Sequence, residues 1–151
     1  MAAMETKMCW VVLLLALGMG PGCKKSEGAV CFDNAACDEG LACVGEGVRR
    51  CEKCDDLEQC TNNGKCTAKG GVCQAASDED CKKSYGCKAR GPCTAKDGQC
   101  VVGSDADCQQ SEACAKQKYC VAKGNNCVMS DADKKAKLEA DKAAAKAAGE
   151  G

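Results

Sequence analysis

The sequence predicts a small disulfide-rich fold: tandem 27-residue repeats, each a short helical turn plus a β-hairpin, followed by a C-terminal α-helix. Three observations lead there. Large apolar side chains are scarce, the chain holds 18 cysteines, and twelve of those cysteines return in columns spaced 27 residues apart.

The scarcity comes first because it decides what must hold the fold. A chain of 151 residues is long enough for one ordinary domain. After residue 22, however, it contains only three Leu, eight Val, one Phe and no Ile. Ordinary domains carry more than about 20% of these types. Burial at roughly 25 cal/mol per Å² then falls short of the conformational entropy lost on folding. Covalent cross-links are the available substitute, at about 2–4 kcal/mol for a short-loop disulfide.

Residues 1–22 read as an export signal. Lys7 precedes an apolar run from Cys9 to Met19, and Gly20, Pro21 and Gly22 lead to Cys23. The run is shorter than the ~20 residues that span a bilayer. With its cysteine directly after "GPG", the leader resembles a bacterial lipoprotein signal, although Gly20 stands where that family favours leucine. The resemblance implies acylation of Cys23, a polar tether over 23–30, and a membrane partner held through the N-terminal lipid. The implied location is the cell envelope, at the outer membrane or cell surface, with plain secretion as the alternative. Two or three acyl chains on one residue suffice for stable anchoring.

Sixteen cysteines then form a ladder. Cys54, Cys60, Cys66 and Cys73 recur as Cys81, Cys87, Cys93 and Cys100, and again as Cys108, Cys114, Cys120 and Cys127. A fixed period of this size marks a tandem array. A variant quartet, Cys31, Cys37, Cys43 and Cys51, comes before it with a longer third gap. The units are a variant one over 31–53 and repeats over 54–80, 81–107 and 108–129, with a tail over 130–151. Export permits oxidation and the thin apolar core requires it, so all sixteen are expected in disulfides, two per unit.

Each repeat carries local signals. "SDED" at Ser77–Asp80 and "SDAD" at Ser104–Asp107 place Ser at an N-cap and Asp at N3, ahead of the first cysteine of a unit. A helical turn is expected there, ending near Gly86 in the second repeat. "TAKGGV", "TAKDGQ" and "VAKGNN" read as hairpins with two-residue turns. A Gly70–Gly71 turn sets Lys69 opposite Val72 and Ala68 opposite Cys73, leaving Cys66 diagonal to Cys73. Bridges from hairpin to preceding loop therefore fit better than a bridge within the hairpin. Four cysteines still allow three pairings per unit.

The segment "CFDNAACDEGLACVGEGVRRC" (31–51) is similar to the four-cysteine units of Dickkopf and colipase-like extracellular domains in its first two gaps and its "GLxC" phrase. That resemblance implies first-to-third and second-to-fourth pairing: Cys31–Cys43 and Cys37–Cys51. Extended to the repeats by their spacing, it implies Cys54–Cys66, Cys60–Cys73, Cys81–Cys93, Cys87–Cys100, Cys108–Cys120 and Cys114–Cys127.

Other chemistry finds little support. Cys51 and Cys54 form a CxxC, but the common gaps are five to seven residues and there is no histidine, so disulfides outweigh a thiolate metal site. No nucleophile–base motif or phosphate loop is present, so no enzyme, metal or cofactor is expected. A net charge of −1 gives no field for nucleic acid. Two functional readings follow. The first is a non-enzymatic surface lipoprotein serving structure, adhesion or binding, with a protein or glycan partner. The second is a protease inhibitor presenting a stapled loop, "KARGP" (Lys88–Pro92) or "AKQKY" (Ala115–Tyr119), with Arg90 or Lys118 at the cleavage position.

The tail repeats the cap signal, Ser130-Asp131-Ala132-Asp133, but Lys134 stands where a cysteine would follow. The Ala/Lys-rich stretch beyond it predicts a solvated helix of about four turns, with Asp131–Lys135 and Asp133–Lys137 as i, i+4 pairs and fraying from Gly149.

Overall fold

The computed structural model describes residues 24–148; the leader and Cys23 lie outside that range. Among the described residues stand four two-stranded antiparallel hairpins: β1–β2 (Ala42–Val44, Arg50–Glu52), β3–β4 (Thr67–Lys69, Val72–Gln74), β5–β6 (Thr94–Lys96, Gln99–Val101) and β7–β8 (Val121–Lys123, Asn126–Val128). Short helices stand between them: α1 (Glu58–Asn63), α2 (Asp78–Lys83), α3 (Tyr85–Arg90), α4 (Asp105–Gln109) and α5 (Glu112–Gln117). Helix α3 packs against both α1 and α5. The long helix α6 (Asp131–Ala148) leaves the last hairpin with no buried residue.

In the last three hairpins the registers are those that two-residue turns impose. Lys69 pairs with Val72 and Ala68 with Cys73, and the next two hairpins repeat the arrangement through Ala95–Cys100 and Ala122–Cys127. The β3–β4 and β5–β6 turns also grip the preceding part of the chain. Gly71 O accepts from Cys43 N at 2.9 Å, and Gly98 O accepts from Ala75 N at 2.9 Å.

The helices differ from expectation in where α2 stops and in one cap, since Ser104 stands at the N-cap of α4 but makes no side-chain cap bond. Helix α2 is capped by Ser77, whose side chain accepts from Asp80 N. It stops at Ser84 and not near Gly86. Ser84 is fully buried; its hydroxyl donates to Cys81 O at 2.7 Å and accepts from Cys87 N at 3.1 Å. One side chain thus closes α2 and opens α3, and Gly86 falls inside the second helix. Ser111 joins α4 to α5 through the same two bonds, to Cys108 O at 2.7 Å and from Cys114 N at 3.2 Å.

Cystine makes up most of the interior. The buried apolar residues are mainly half-cystines, together with Ala42, Ala75 and Val102. Cys31, Cys37, Cys43 and Cys51 form one cluster with Ala36 and Leu41 packed on it. Eight disulfides are formed, and no cysteine is free among the described residues.

In the first quartet the bridges are Cys31–Cys43 and Cys37–Cys51. In the later three they are nested, first to fourth and second to third: Cys54–Cys73 with Cys60–Cys66, Cys81–Cys100 with Cys87–Cys93, and Cys108–Cys127 with Cys114–Cys120. The crossed pairing expected there, from Cys54–Cys66 and Cys60–Cys73 onward, is corrected. The reason is local. The second cysteine sits on a helix ending in a left-handed C-cap, Gly64 after α1 and Gly91 after α3. That cap reverses the chain and brings the third cysteine back to the second, with Cα atoms 4.4 Å apart for Cys60 and Cys66. The first quartet has a 3-10 turn (Asn34–Ala36) in place of that helix, and its strands set Cys43 opposite Cys51. Neighbouring opposite half-cystines then reach to separate partners.

Residues 25–30 are not a loose tether. Lys25 N donates to Ala36 O at 2.7 Å, Lys25 O accepts from Asp38 N at 2.8 Å, and Gly28 N donates to Cys51 O at 2.7 Å. Lys25 and Val30 also form β-bridges with Cys37 and Arg50. In α6, Ser130 Oγ accepts from Asp133 N at 3.0 Å. Its ion pairs are Asp131–Lys134 and Lys137–Asp141, not the pairs expected from sequence. Asp133 is half-buried and its carboxylate accepts from Ser130 Oγ, while the paired side chains are exposed, so no packing selects one neighbour on the helix face over another.

Candidate functional site

The junctions between successive cystine-bearing segments are built from a few recurring contacts. Thr67 Oγ1 donates to Asp80 Oδ2 at 2.7 Å, and Ala76 N donates to the same oxygen at 3.0 Å. One segment later, Thr94 Oγ1 and Gly103 N donate to Asp107 Oδ2 at 2.8 and 2.7 Å. Both carboxylates are buried. A buried charge is tolerated only when its hydrogen bonds are made, and these are. A second carboxylate on each helix covers a strand edge: Asp78 Oδ1 accepts from Ala95 N at 2.7 Å, and Asp105 Oδ1 from Ala122 N at 2.6 Å. Such cover removes an open edge that another chain could extend.

Two glycines permit the close approach. At Gly64 (φ +71°) a Cβ would lie 2.6 Å from Cys100 Sγ and 2.8 Å from Cys81 Cα. At Gly91 (φ +98°) it would lie 2.7 Å from Cys127 Sγ and 3.2 Å from Cys108 Cα. Each glycine therefore seats the next cystine against the preceding helix cap. The third position in this series is Lys118, also left-handed at φ +63°. No further cysteine quartet follows its own, and a side chain is accommodated. The Thr column ends in the same way, at Val121, and the cysteine column at Lys134, which comes seven residues after Cys127 where Cys108 comes eight after Cys100.

Beside these contacts lie open clefts. The larger, about 810 Å³, runs between α3, α5 and the β7–β8 hairpin, with Tyr85, Arg90, Lys116 and Tyr119 along it and Asn125 and Asn126 at the turn. A smaller one, about 350 Å³, occupies the equivalent place one segment earlier, with Asn62, Asn63, Arg90 and Pro92 among its walls. Tyr85 is 66% exposed, and Lys116 pairs with Glu112 beside it. That pairing holds the Glu112 carboxyl below and the Lys116 ammonium above their ordinary values, first through the side-chain hydrogen bond and then through the opposite charge.

All sixteen half-cystines expected from the sequence are brought together in bridges, while Cys23 lies outside the described residues. The sulfurs of Cys31, Cys37 and Cys43 approach one another closely, as do those of Cys60 and Cys66 with the Asp55 carboxylate. Every sulfur in these groups is half of a disulfide, so none offers a thiolate to a metal. Arg90 and Lys118 are not on extended loops: Arg90 is the last residue of α3, and Lys118 is the left-handed cap of α5. The Thr–Asp bonds and Tyr85 were not singled out from sequence, while Tyr119 ends the nominated stretch Ala115–Tyr119. The available signal was Thr recurring at 67 and 94, each thirteen residues before a buried Asp. No protein-family model, curated protein or solved structure matches the chain. No helix among the described residues is long and apolar enough to cross a membrane, and the many disulfides are consistent with an exported protein.

Proposed function

We propose that this chain is a non-enzymatic, exported, lipid-anchored cysteine-rich protein. Its tandem 27-residue units act as a rigid scaffold for structure, adhesion or binding at the cell envelope. The observation that carries this reading is a division of labour among equivalent positions. Residues facing the next unit keep their identity, as in Gly64 and Gly91, Thr67 and Thr94, Asp80 and Asp107. Residues lining the clefts change: Asn62 becomes Ala89, Asn63 becomes Arg90, Arg90 becomes Gln117 and Pro92 becomes Tyr119. Constant junctions with variable walls are what a display scaffold needs. A protein or glycan is the partner class that open, mixed polar and aromatic clefts suit. The inhibitor reading loses support, because the backbone at Arg90 is helical and does not offer an extended strand to a protease cleft.

The test is expression of the full chain in a bacterial host, with the N-terminal peptide read by mass spectrometry and cells treated with external protease. The reading expects acyl mass on Cys23, envelope fractionation, and release into the medium or periplasm on Cys23→Ala. A cytoplasmic protein with reduced thiols would overturn it.

A further inference from the structure

The first unit carries an exposed face that the cleft does not use. Val30 and Arg50 form an antiparallel bridge, with Cys31 N donating to Arg49 O at 3.0 Å and Cys51 N to Ala29 O at 2.9 Å. Side chains alternate across such a pair. Cys31 and Cys51 point into the cystine cluster, so Val30 and Arg50 point away from it. Phe32 and Val48 lie two residues beyond this isolated bridge, each in a bend of the chain. Phe32 is 83% exposed and Val48 65%. Phe32 is the only phenylalanine in the chain, and it stands in water.

Cations frame this apolar pair. The Lys25 ammonium lies 5.1 Å from the Phe32 ring centroid and donates to Val30 O at 2.7 Å. Arg50 Nη1 donates to Gly28 O at 2.8 Å, on the same face. Lys24 is exposed next to Lys25. The nearby Glu27 is occupied by Lys53 at 2.9 Å. Asp33 and Glu46 are the acids closest in sequence to Phe32 and Val48, and both are exposed.

We propose that this face, Phe32 and Val48 with Lys24, Lys25 and Arg50, is a membrane-docking surface that seats the first unit on the headgroups of an anionic bilayer. The proposal rests on the reading of Cys23 as the acylated residue, and the position of that residue argues for the occupant. Among the described residues, backbone hydrogen bonding starts at Lys25, two residues from Cys23, which is at most about 7 Å of chain. An anchor that short holds the first unit against the bilayer, where some face of it must meet the surface. Aromatic and aliphatic side chains rimmed by Lys and Arg match the interfacial zone, with rings at headgroup depth and cations on the phosphates. Acyl chains supply attachment, and the face sets orientation, so the rest of the chain is aimed consistently relative to the membrane.

The test uses the full chain carrying Trp10→Phe, which removes the sole native tryptophan, and introduces an indole by Phe32→Trp or, as the control, Leu138→Trp on the exposed α6. Protein from host membranes is reconstituted into phosphatidylcholine vesicles containing phosphatidylglycerol, with and without brominated acyl chains. Protein recovered in soluble form is mixed with the same vesicles. Mass spectrometry of the N-terminal peptide reads acylation independently. The Phe32→Trp indole should shift to the blue and lose roughly half its emission to brominated lipid, while the Leu138→Trp indole is unchanged. An unquenched Phe32→Trp indole on acylated, vesicle-bound protein overturns docking while leaving the anchor reading intact. Quenching in a chain without acyl mass upholds docking and removes the anchor reading; neither signal removes both. A blue-shifted but unquenched indole means that protein, not lipid, covers this face, and also overturns the proposal.

Discussion

Thr67 donates a 2.7 Å hydrogen bond to the buried carboxylate of Asp80, tying the β3–β4 hairpin to the helix that carries Cys81. The same bond joins Thr94 to Asp107 at 2.8 Å. The next Thr position is Val121, at the place where no further cystine has to be held.

That bond can be weighed by substitution. Thr67→Val keeps the side chain's shape and leaves Asp80 Oδ2 with one partner fewer, at an expected cost of about 1–3 kcal/mol. Val121→Thr should change stability by less than about 0.5 kcal/mol, since no buried carboxylate awaits it. Guanidinium unfolding of the oxidised chain measures both. Equal effects would mean that the Thr–Asp contact does not hold the junction.

The glycine series makes an opposite pair of predictions. Gly91→Ala puts a methyl group against Cys127 Sγ and Asp107 O at a left-handed residue. About 2–4 kcal/mol of destabilisation is expected. Lys118→Gly relieves a left-handed non-glycine residue that faces no cystine and should stabilise by about 0.5–1 kcal/mol. The same unfolding series reads both, and a tolerated Gly91→Ala would remove the close-approach argument.

Helix α6 should respond to acid. A hydrogen bond from Lys134, and then its charge, hold the Asp131 carboxyl below its ordinary value. The folded value is therefore lower than the unfolded one. The contribution is fully present above the ordinary carboxylate range and is lost as pH falls through the lowered value. Far-UV dichroism at low salt should show helix loss only in that acidic window, and less of it in Asp131→Asn, which has no carboxylate to protonate. A transition near neutrality would contradict the assignment.

Much of this fold was readable from the residues, for physical reasons that differ by element. A two-residue turn leaves a hairpin one register, so Ala68–Cys73 and Lys69–Val72 followed from Gly70–Gly71. Ser77 announced α2 because its hydroxyl can serve an otherwise unpaired helix N–H. Ser84 was harder to read, since one hydroxyl serves two helices and Gly86 suggested a stop. The first quartet pairs as its resemblance implied, but pairing in the later three was not readable, because it depends on how far Gly64 and Gly91 reverse the chain, and cysteine spacing does not contain that angle. The clefts were less readable still: Tyr85 and Tyr119 are 34 residues apart in sequence and meet one cavity only because α3 and α5 pack together.

The nested bridges are the centre of this account, since the helix reversal at Gly64 and Gly91 leads to them and the seated cystines depend on them. They are tested most directly by mass mapping of the unreduced protein after digestion with trypsin and a glutamate-specific protease. Cleavage after Glu58 separates Cys54 from Cys60, cleavage after Lys82 or Lys83 separates Cys81 from Cys87, and cleavage after Glu112 separates Cys108 from Cys114. The account predicts linked peptides joining Cys54 to Cys73 and Cys60 to Cys66, with the same pattern in the two following units. Peptides joining Cys54 to Cys66 and Cys60 to Cys73, or free thiols at these positions, would contradict it.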